Sequence, residues 1–201
     1  MSGHSRRAFA AGVTGLWVGL ALDACSSSAP PSPYTGDLRT VALAAALENQ
    51  AVSAYQAVDA ALRGGKLGPA VPALAAFVHT ATAHHTQHAA TWNAILHAAR
   101  KPTVTGTPLS GNAQLMSTIS GASDVAAVVS AMRHLETQAA QTYTAALENL
   151  KGVGPAVTAA ATIAPVEAMH AAALGYVFSG QSAVADFLGT GGAVSIKALT
   201  A

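Results

Sequence analysis

The sequence predicts an all-α protein, a four-helix bundle with one long crossover between its second and third helices. Three observations lead there. Alanine is abundant, and apolar residues make up 51% of the 201-residue chain against 9% charged residues, a composition that favours packed helices over a solvated coil. Between Asp37 and Phe178 four long stretches of helical pattern are punctuated by glycine and proline, which stop helices or open them. The connections run short, long, short, the order that a bundle with a single crossover requires.

Helix one runs from Asp37 to about Arg63 without an internal glycine or proline and stops at Gly64-Gly65. Pro69 and Pro72 open helix two, which reaches about Ala99 and is closed by Lys101-Pro102. Residues 100–122, rich in proline, glycine and threonine, form the crossover, with space for a short helical turn around Gln114 to Ile119. A helix of about 27 residues is about 40 Å long, a distance that such a crossover spans even when partly coiled. Ser123-Asp124 supplies the N-cap of helix three, which ends near Leu150. Lys151-Gly152-Val153-Gly154 reverses the chain, and Pro155 opens helix four, reaching about Phe178. The bundle thus occupies residues 37–180, and residues 181–201 form a tail with one apolar patch.

The first 24 residues read as an address. Arg6 and Arg7, within Ser5-Arg6-Arg7-Ala8-Phe9, resemble the bacterial twin-arginine export signal. The apolar stretch from Ala8 to Leu22, interrupted by Gly12, Gly15 and Gly19, is too short to span a bilayer and suits a signal peptide. Leu22-Asp23-Ala24-Cys25 resembles a lipoprotein cleavage box whose cysteine receives lipid. Residues 25–36, a Ser/Pro stretch after Cys25, make a tether that holds a domain off a surface. The expected location is the outer face of a bacterial cell membrane, with anchoring through lipid on Cys25. A single cysteine excludes a disulfide framework and a cysteine-based zinc module. A net charge of +1, with no Lys/Arg block in the body, excludes nucleic acid as a partner.

The chain repeats itself. Leu47-Glu48-Asn49-Gln50-Ala51 with Tyr55 matches Leu135-Glu136-Thr137-Gln138-Ala139 with Tyr143, in the same register of helices one and three. Helix two carries His85-Thr86-Gln87-His88 and helix four carries Glu167-Ala168-Met169-His170. Steps of three and four place Glu48 in line with Val41, Ala45, Val52 and Tyr55, and Glu136 in line with Val129, Met132, Ala139 and Tyr143. The same steps put His85 and His88 with Leu74, Val78, Trp92 and Ile95, and Glu167 and His170 with Ile163, Leu174 and Val177. His84 falls to the side of its seam or outward, and His79, His97 and His134 fall off theirs. Three of the chain's four glutamates therefore face the core, while Glu148 does not.

Burying three carboxylates costs several kcal/mol per ion unless positive charge compensates. No lysine or arginine lies on the seams, so protons on the site or a metal cation must supply it. Imidazole and carboxylate suit iron, manganese and zinc, and a spacing of i, i+3 lets both members of a pair reach one ion. A lone core histidine is more often hydrogen-bonded than metal-bound; six such residues at one level of four seams point to a metal. Tyr55 and Tyr143, one heptad from Glu48 and Glu136, are either core aromatics with a satisfied hydroxyl or partners of the carboxylates, with redox activity open to them.

This arrangement resembles the ferritin-like superfamily over residues 37–180, and within it the exported bacterial ferritin-like domain proteins rather than the iron-storing cages. The resemblance implies a dinuclear iron or manganese centre held by one Glu from each of two helices and a Glu-x-x-His pair from each of the others. Glu48 and Glu136 match the single glutamates, Glu167 and His170 one pair, and His88 the histidine of the second pair. His85 stands where the pattern has a glutamate. With three carboxylates and three imidazoles the site suits two ions or one, and imidazole enrichment shifts preference toward zinc, copper or nickel. The resemblance permits an oxidoreductase acting on oxygen or peroxide, a non-catalytic metal-sequestering lipoprotein, or an interaction module with a vestigial site. Helix faces rich in Ala, Thr and Gln permit a homodimer.

Overall fold

The computed structural model describes residues 31–180 and 189–201. The expectations for Arg6, Arg7 and Cys25 lie outside the described residues. The described chain is helical, with α1 at Asp37–Arg63, α2 at Pro72–Ala98, α3 at Asn112–Gly121, α4 at Val125–Asn149 and α5 at Gly154–Ala173. α1 packs along α2 and α4 along α5, so two helical hairpins form the bundle, and α3 lies within the crossover against α1 and α4.

Local chemistry sets the ends. α1 stops at Gly64, and Gly65 follows with a positive φ of 69°, which glycine adopts without a steric penalty. Asp124 caps α4, its carboxylate accepting from the Ala127 N–H at 2.9 Å. The Asp37 carboxylate accepts from the N–H groups of Lys151 and Gly152 at 3.0 and 2.7 Å, which ties the start of α1 to the turn between α4 and α5.

The fourth helix departs from its pattern near its end. Leu174–Phe178 form a π-helical turn, and the wider turn advances the inward face by one residue. Val177, expected on the seam, is 62% exposed, while Phe178 packs against the core. Gly175 lies in this turn where a Cβ would come within 2.8 Å of the Arg133 side chain. On α2 the inward residue near the end is Leu96 rather than Ile95, and Leu147 of α4 is 37% exposed. The stretch from Gly154 to Phe178 is long and apolar enough to cross a membrane, but it buries Glu167 and His170 among the other helices and acts as a core helix.

The crossover is latched by two asparagines that a periodicity argument does not select. Asn93 exchanges two hydrogen bonds with Val104, donating to its carbonyl at 2.9 Å and accepting from its N–H at 2.7 Å. Asn49 donates to the carbonyls of Val104 and Gly106 at 2.8 and 3.0 Å. The described part of the tail returns to this region. Leu199 pairs with Leu109 in an antiparallel bridge, and the Thr200 N–H donates to the Pro108 carbonyl at 2.9 Å. Leu199 is buried in the core cluster, so the end of the chain covers part of the crossover.

Asn93→Ala leaves the Val104 N–H without its partner and should lower the unfolding free energy by about 1–3 kcal/mol, measured by chemical denaturation. An unchanged midpoint would show that the latch contributes nothing.

Candidate metal centre

The buried apolar side chains form two clusters, one reaching from Val41 to Leu47 of α1 and from Ala139 to Ala146 of α4, the other from Ala51 to Val58 and from Val128 to Leu135. Glu48 and Glu136 sit in the gap between them. So do His85, Glu167 and His170, all buried with the two glutamates, and His88, which is half-buried. The structure therefore brings all six sequence-selected residues to one level, with helices α1, α2, α4 and α5 each contributing.

His85 is at the centre. Its Nδ1 lies 2.7 Å from Glu48 Oε2 and its Nε2 lies 3.0 Å from Glu136 Oε1. His88 Nδ1 lies 2.8 Å from Glu167 Oε1 and 3.6 Å from Glu48 Oε2. His170 Nδ1 lies 3.4 Å from Glu167 Oε2 and 3.5 Å from Glu136 Oε2. Tyr143 donates to Glu48 Oε1 at 2.6 Å, and Tyr55 donates to Glu136 Oε1. Each tyrosine thus holds the glutamate of the other hairpin, a crossing that spacing along one helix does not reveal.

Two overlapping donor sets result: Glu48, His85, His88 and Glu167, and His85, Glu136, Glu167 and His170, each offering ligand atoms within 4.8 Å of one another. Among the described residues, five buried atoms here lack a hydrogen-bond partner: His88 Nδ1, Glu136 Oε2, both Glu167 oxygens and His170 Nδ1. Several lie close together yet are misaligned for hydrogen bonding, as lone pairs aimed at a common point would be. Buried polar atoms are costly when unpartnered, and these belong to a carboxylate and imidazole set suited to a divalent cation. The residues fit a metal.

The electrostatics are mutual. Burial disfavours charge on every member, but the charge of His85, its hydrogen bond and the nearby charge of His170 hold Glu136 well below the usual carboxylate range. Burial likewise opposes ionisation of Glu48, and a hydrogen bond from His85 with the nearby charges of His85 and His88 overcomes it and lowers its pKa. Glu167 goes the other way, raised by burial and by the nearby Glu48 charge. Burial works against a charge on His88 and His170, yet their carboxylate partners lift both to about 9. Burial and the adjacent carboxylates push Tyr55 and Tyr143 well above the ordinary tyrosine value, so both hydroxyls keep their protons to donate.

The sequence pattern turned His84 sideways or outward. It is half-exposed, yet its Nδ1 lies 3.0 Å from Nε2 of His170, with the two rings stacked at 5.3 Å. A metal-ligating histidine commonly engages its second nitrogen this way, which fixes the ring. The signal was present in the sequence as the His84-His85 pair. His79, His97 and His134 are exposed, as expected.

A family model for the ferritin-like domain matches residues 65–179. The chain belongs to the ferritin-like family. The match takes in His85, His88, Glu136, Glu167 and His170, and Glu48 lies on the helix before it. No curated protein and no solved structure matches the chain. The ferritin-like fold and the buried Glu/His group are together compatible with metal binding.

His88 and His170 sit at about 9 in the folded protein against an ordinary 6.5. Their charged forms stabilise the metal-free fold fully below 6.5, and that contribution fades as pH rises through about 9. The metal-free protein should lose stability between these limits, whereas its affinity for a divalent ion should rise across them because the ion displaces protons. Thermal melts and metal titrations at stepped pH check both directions; affinity that does not change with pH would overturn the assignment of these imidazoles as ligands.

Proposed function

We propose that this chain is an exported, membrane-anchored ferritin-like protein that binds a metal in its bundle core, with iron or manganese as the native ion. The carrying observation is the set of five buried, unpartnered donor atoms on His88, Glu136, Glu167 and His170. Structural burial alone would select apolar residues or fully satisfied ones, and these are neither. Glu48, His85, His88, Glu136, Glu167 and His170 form the holding set. Bound iron or manganese would supply redox chemistry toward oxygen or peroxide. The protein's own part is to position the carboxylates through Tyr55 and Tyr143, to exclude water with the apolar clusters on either side, and to leave His84 and His88 as the site's partly exposed edge.

Anchoring rests on the Arg6-Arg7 signal and on Cys25 with its Ser/Pro tether. Twin-arginine export carries folded proteins, which agrees with a cofactor acquired before translocation. A second reading, non-catalytic zinc or copper sequestration at the cell surface, is favoured by one observation: an imidazole, His85, replaces a carboxylate at the centre of the site.

Elemental analysis of the protein exported by its own host should find metal in the native chain and none in Glu167→Ala or His170→Ala, with helical circular dichroism retained. Iron or manganese supports the first reading and zinc or copper the second. Metal content unchanged in both variants would overturn the site.

A further inference from the structure

The repeated motif does more than supply glutamates. In Leu47-Glu48-Asn49-Gln50 and Leu135-Glu136-Thr137-Gln138 the glutamate turns to the core, while the leucine and the glutamine, three residues apart, share another face of their helix. Leu47, Gln50, Leu135 and Gln138 all line one cleft of about 370 Å³. The metal centre uses none of the four.

The cleft lies where α1, α3 and α4 meet, and Leu115 of α3, Leu109 of the crossover and Val194 and Ala198 of the tail complete its walls. Hydrogen bonds hold the tail in place there. The Val194 N–H donates to the Thr142 hydroxyl at 2.8 Å, and the Ser110 N–H donates to the Ala198 carbonyl at 3.1 Å. A concave space of this size, walled mostly by aliphatic side chains with a few polar groups among them, has the make-up of a small-molecule site.

The polar groups specify the ligand. Gln50 is only 8% exposed, and among the described residues its carboxamide makes a single hydrogen bond, from Nε2 to Asn112 Oδ1 at 3.3 Å. That bond fixes the amide and leaves its carbonyl oxygen to accept from an occupant of the cleft. Gln138, the counterpart of Gln50 in the repeat, makes no side-chain hydrogen bond among the described residues, so both its N–H and its carbonyl are available. No Asp, Glu, Lys or Arg lines the cleft, and His134, exposed, is its one titratable side chain. An ionised ligand would leave water for a wall without a counter-charge. A hydroxyl suits the two carboxamides, because it donates one hydrogen and accepts another, and a carboxamide offers both partners.

We propose that this cleft binds an uncharged, largely apolar alcohol or phenol, oriented by Gln50 and Gln138. The site goes beyond the metal-binding reading and does not depend on it: the repeat turns its glutamates to one site and its leucines and glutamines to another.

The probe is 2-naphthol, with 2-naphthoate as its anionic counterpart and naphthalene as the form without a hydroxyl, each measured by equilibrium dialysis against the full chain. The native chain should bind one equivalent of 2-naphthol and hold 2-naphthoate at least tenfold more weakly. Gln50→Leu should weaken 2-naphthol by about two- to tenfold, the loss of one hydrogen bond, and should leave naphthalene unaffected. Ala131→Trp sets a large side chain into the cleft and should abolish 2-naphthol binding, with circular dichroism reporting its fold. The inference is overturned by an absence of saturable 2-naphthol binding, by equal affinities for 2-naphthol and 2-naphthoate, by a Gln50→Leu variant that holds 2-naphthol as tightly as the native chain, or by a folded Ala131→Trp that still binds it. If Ala131→Trp does not fold, the three probes on the native chain and on Gln50→Leu still decide. No metal enters the measurement, so its failure leaves the metal-binding reading standing.

Discussion

Three carboxylates buried in one layer of an alanine-rich bundle, with no lysine or arginine on the four helix seams, constrain everything else in this molecule. Such a layer survives only if imidazolium, hydrogen-bond donors or a cation offset its desolvation. The fold supplies the first two from within. His85 spans Glu48 and Glu136, and the two tyrosines donate across the hairpins. The apolar clusters on either side keep water out, which strengthens each of these interactions and raises the cost of any atom left without one. Glu167 bears most of that cost. Its two oxygens are buried and unpartnered, and its pKa is raised where those of the other two glutamates are lowered.

Much of the fold was legible because the bundle obeys local rules. Gly64-Gly65, Asp124 and Pro155 mark helix ends for reasons that act within a turn of chain, and the three- and four-residue steps that align Glu48 with Tyr55 are the steps that bury them. The failures came where local rules give way. Val177 left the seam because a π turn inserts an extra residue per revolution, and nothing in Leu174–Phe178 as a pattern announces it. Asn49 and Asn93 latch the crossover through contacts to Val104, distant along the chain, and long-range polar contacts have no period. His84 stands sideways as its position on the helix indicates, but a helix wheel reports only where a residue starts and does not give the reach of its imidazole to His170.

The internal repeat accounts for the site's layout, and its imperfections account for the site's character. A faithful duplication would place a glutamate at position 85 and give each hairpin an equivalent carboxylate environment. The histidine there removes one negative charge and sets a ring nitrogen against each of Glu48 and Glu136. Tyr55 and Tyr143 then settle on different patterns, sharing an oxygen on Glu136 and dividing the oxygens on Glu48. One substitution at the centre thus breaks a symmetry that the rest of the sequence maintains.

The same geometry couples the ion to the fold. α1 with α2 and α4 with α5 form hairpins joined by a long crossover, and the more extensive packing is within each hairpin. The polar contacts of the site run mainly between them: Tyr55 to Glu136, Tyr143 to Glu48, His88 to Glu167 and His84 to His170. A cation held by residues of both hairpins would draw them together at the level where apolar packing is interrupted. Because the unfolded chain cannot assemble those donors, a bound ion would stabilise the native state by about 2.7 kcal/mol at a hundredfold excess over its dissociation constant. That stabilisation would fall on the one layer that the hydrophobic core does not support, and it would offset what the site costs the metal-free protein.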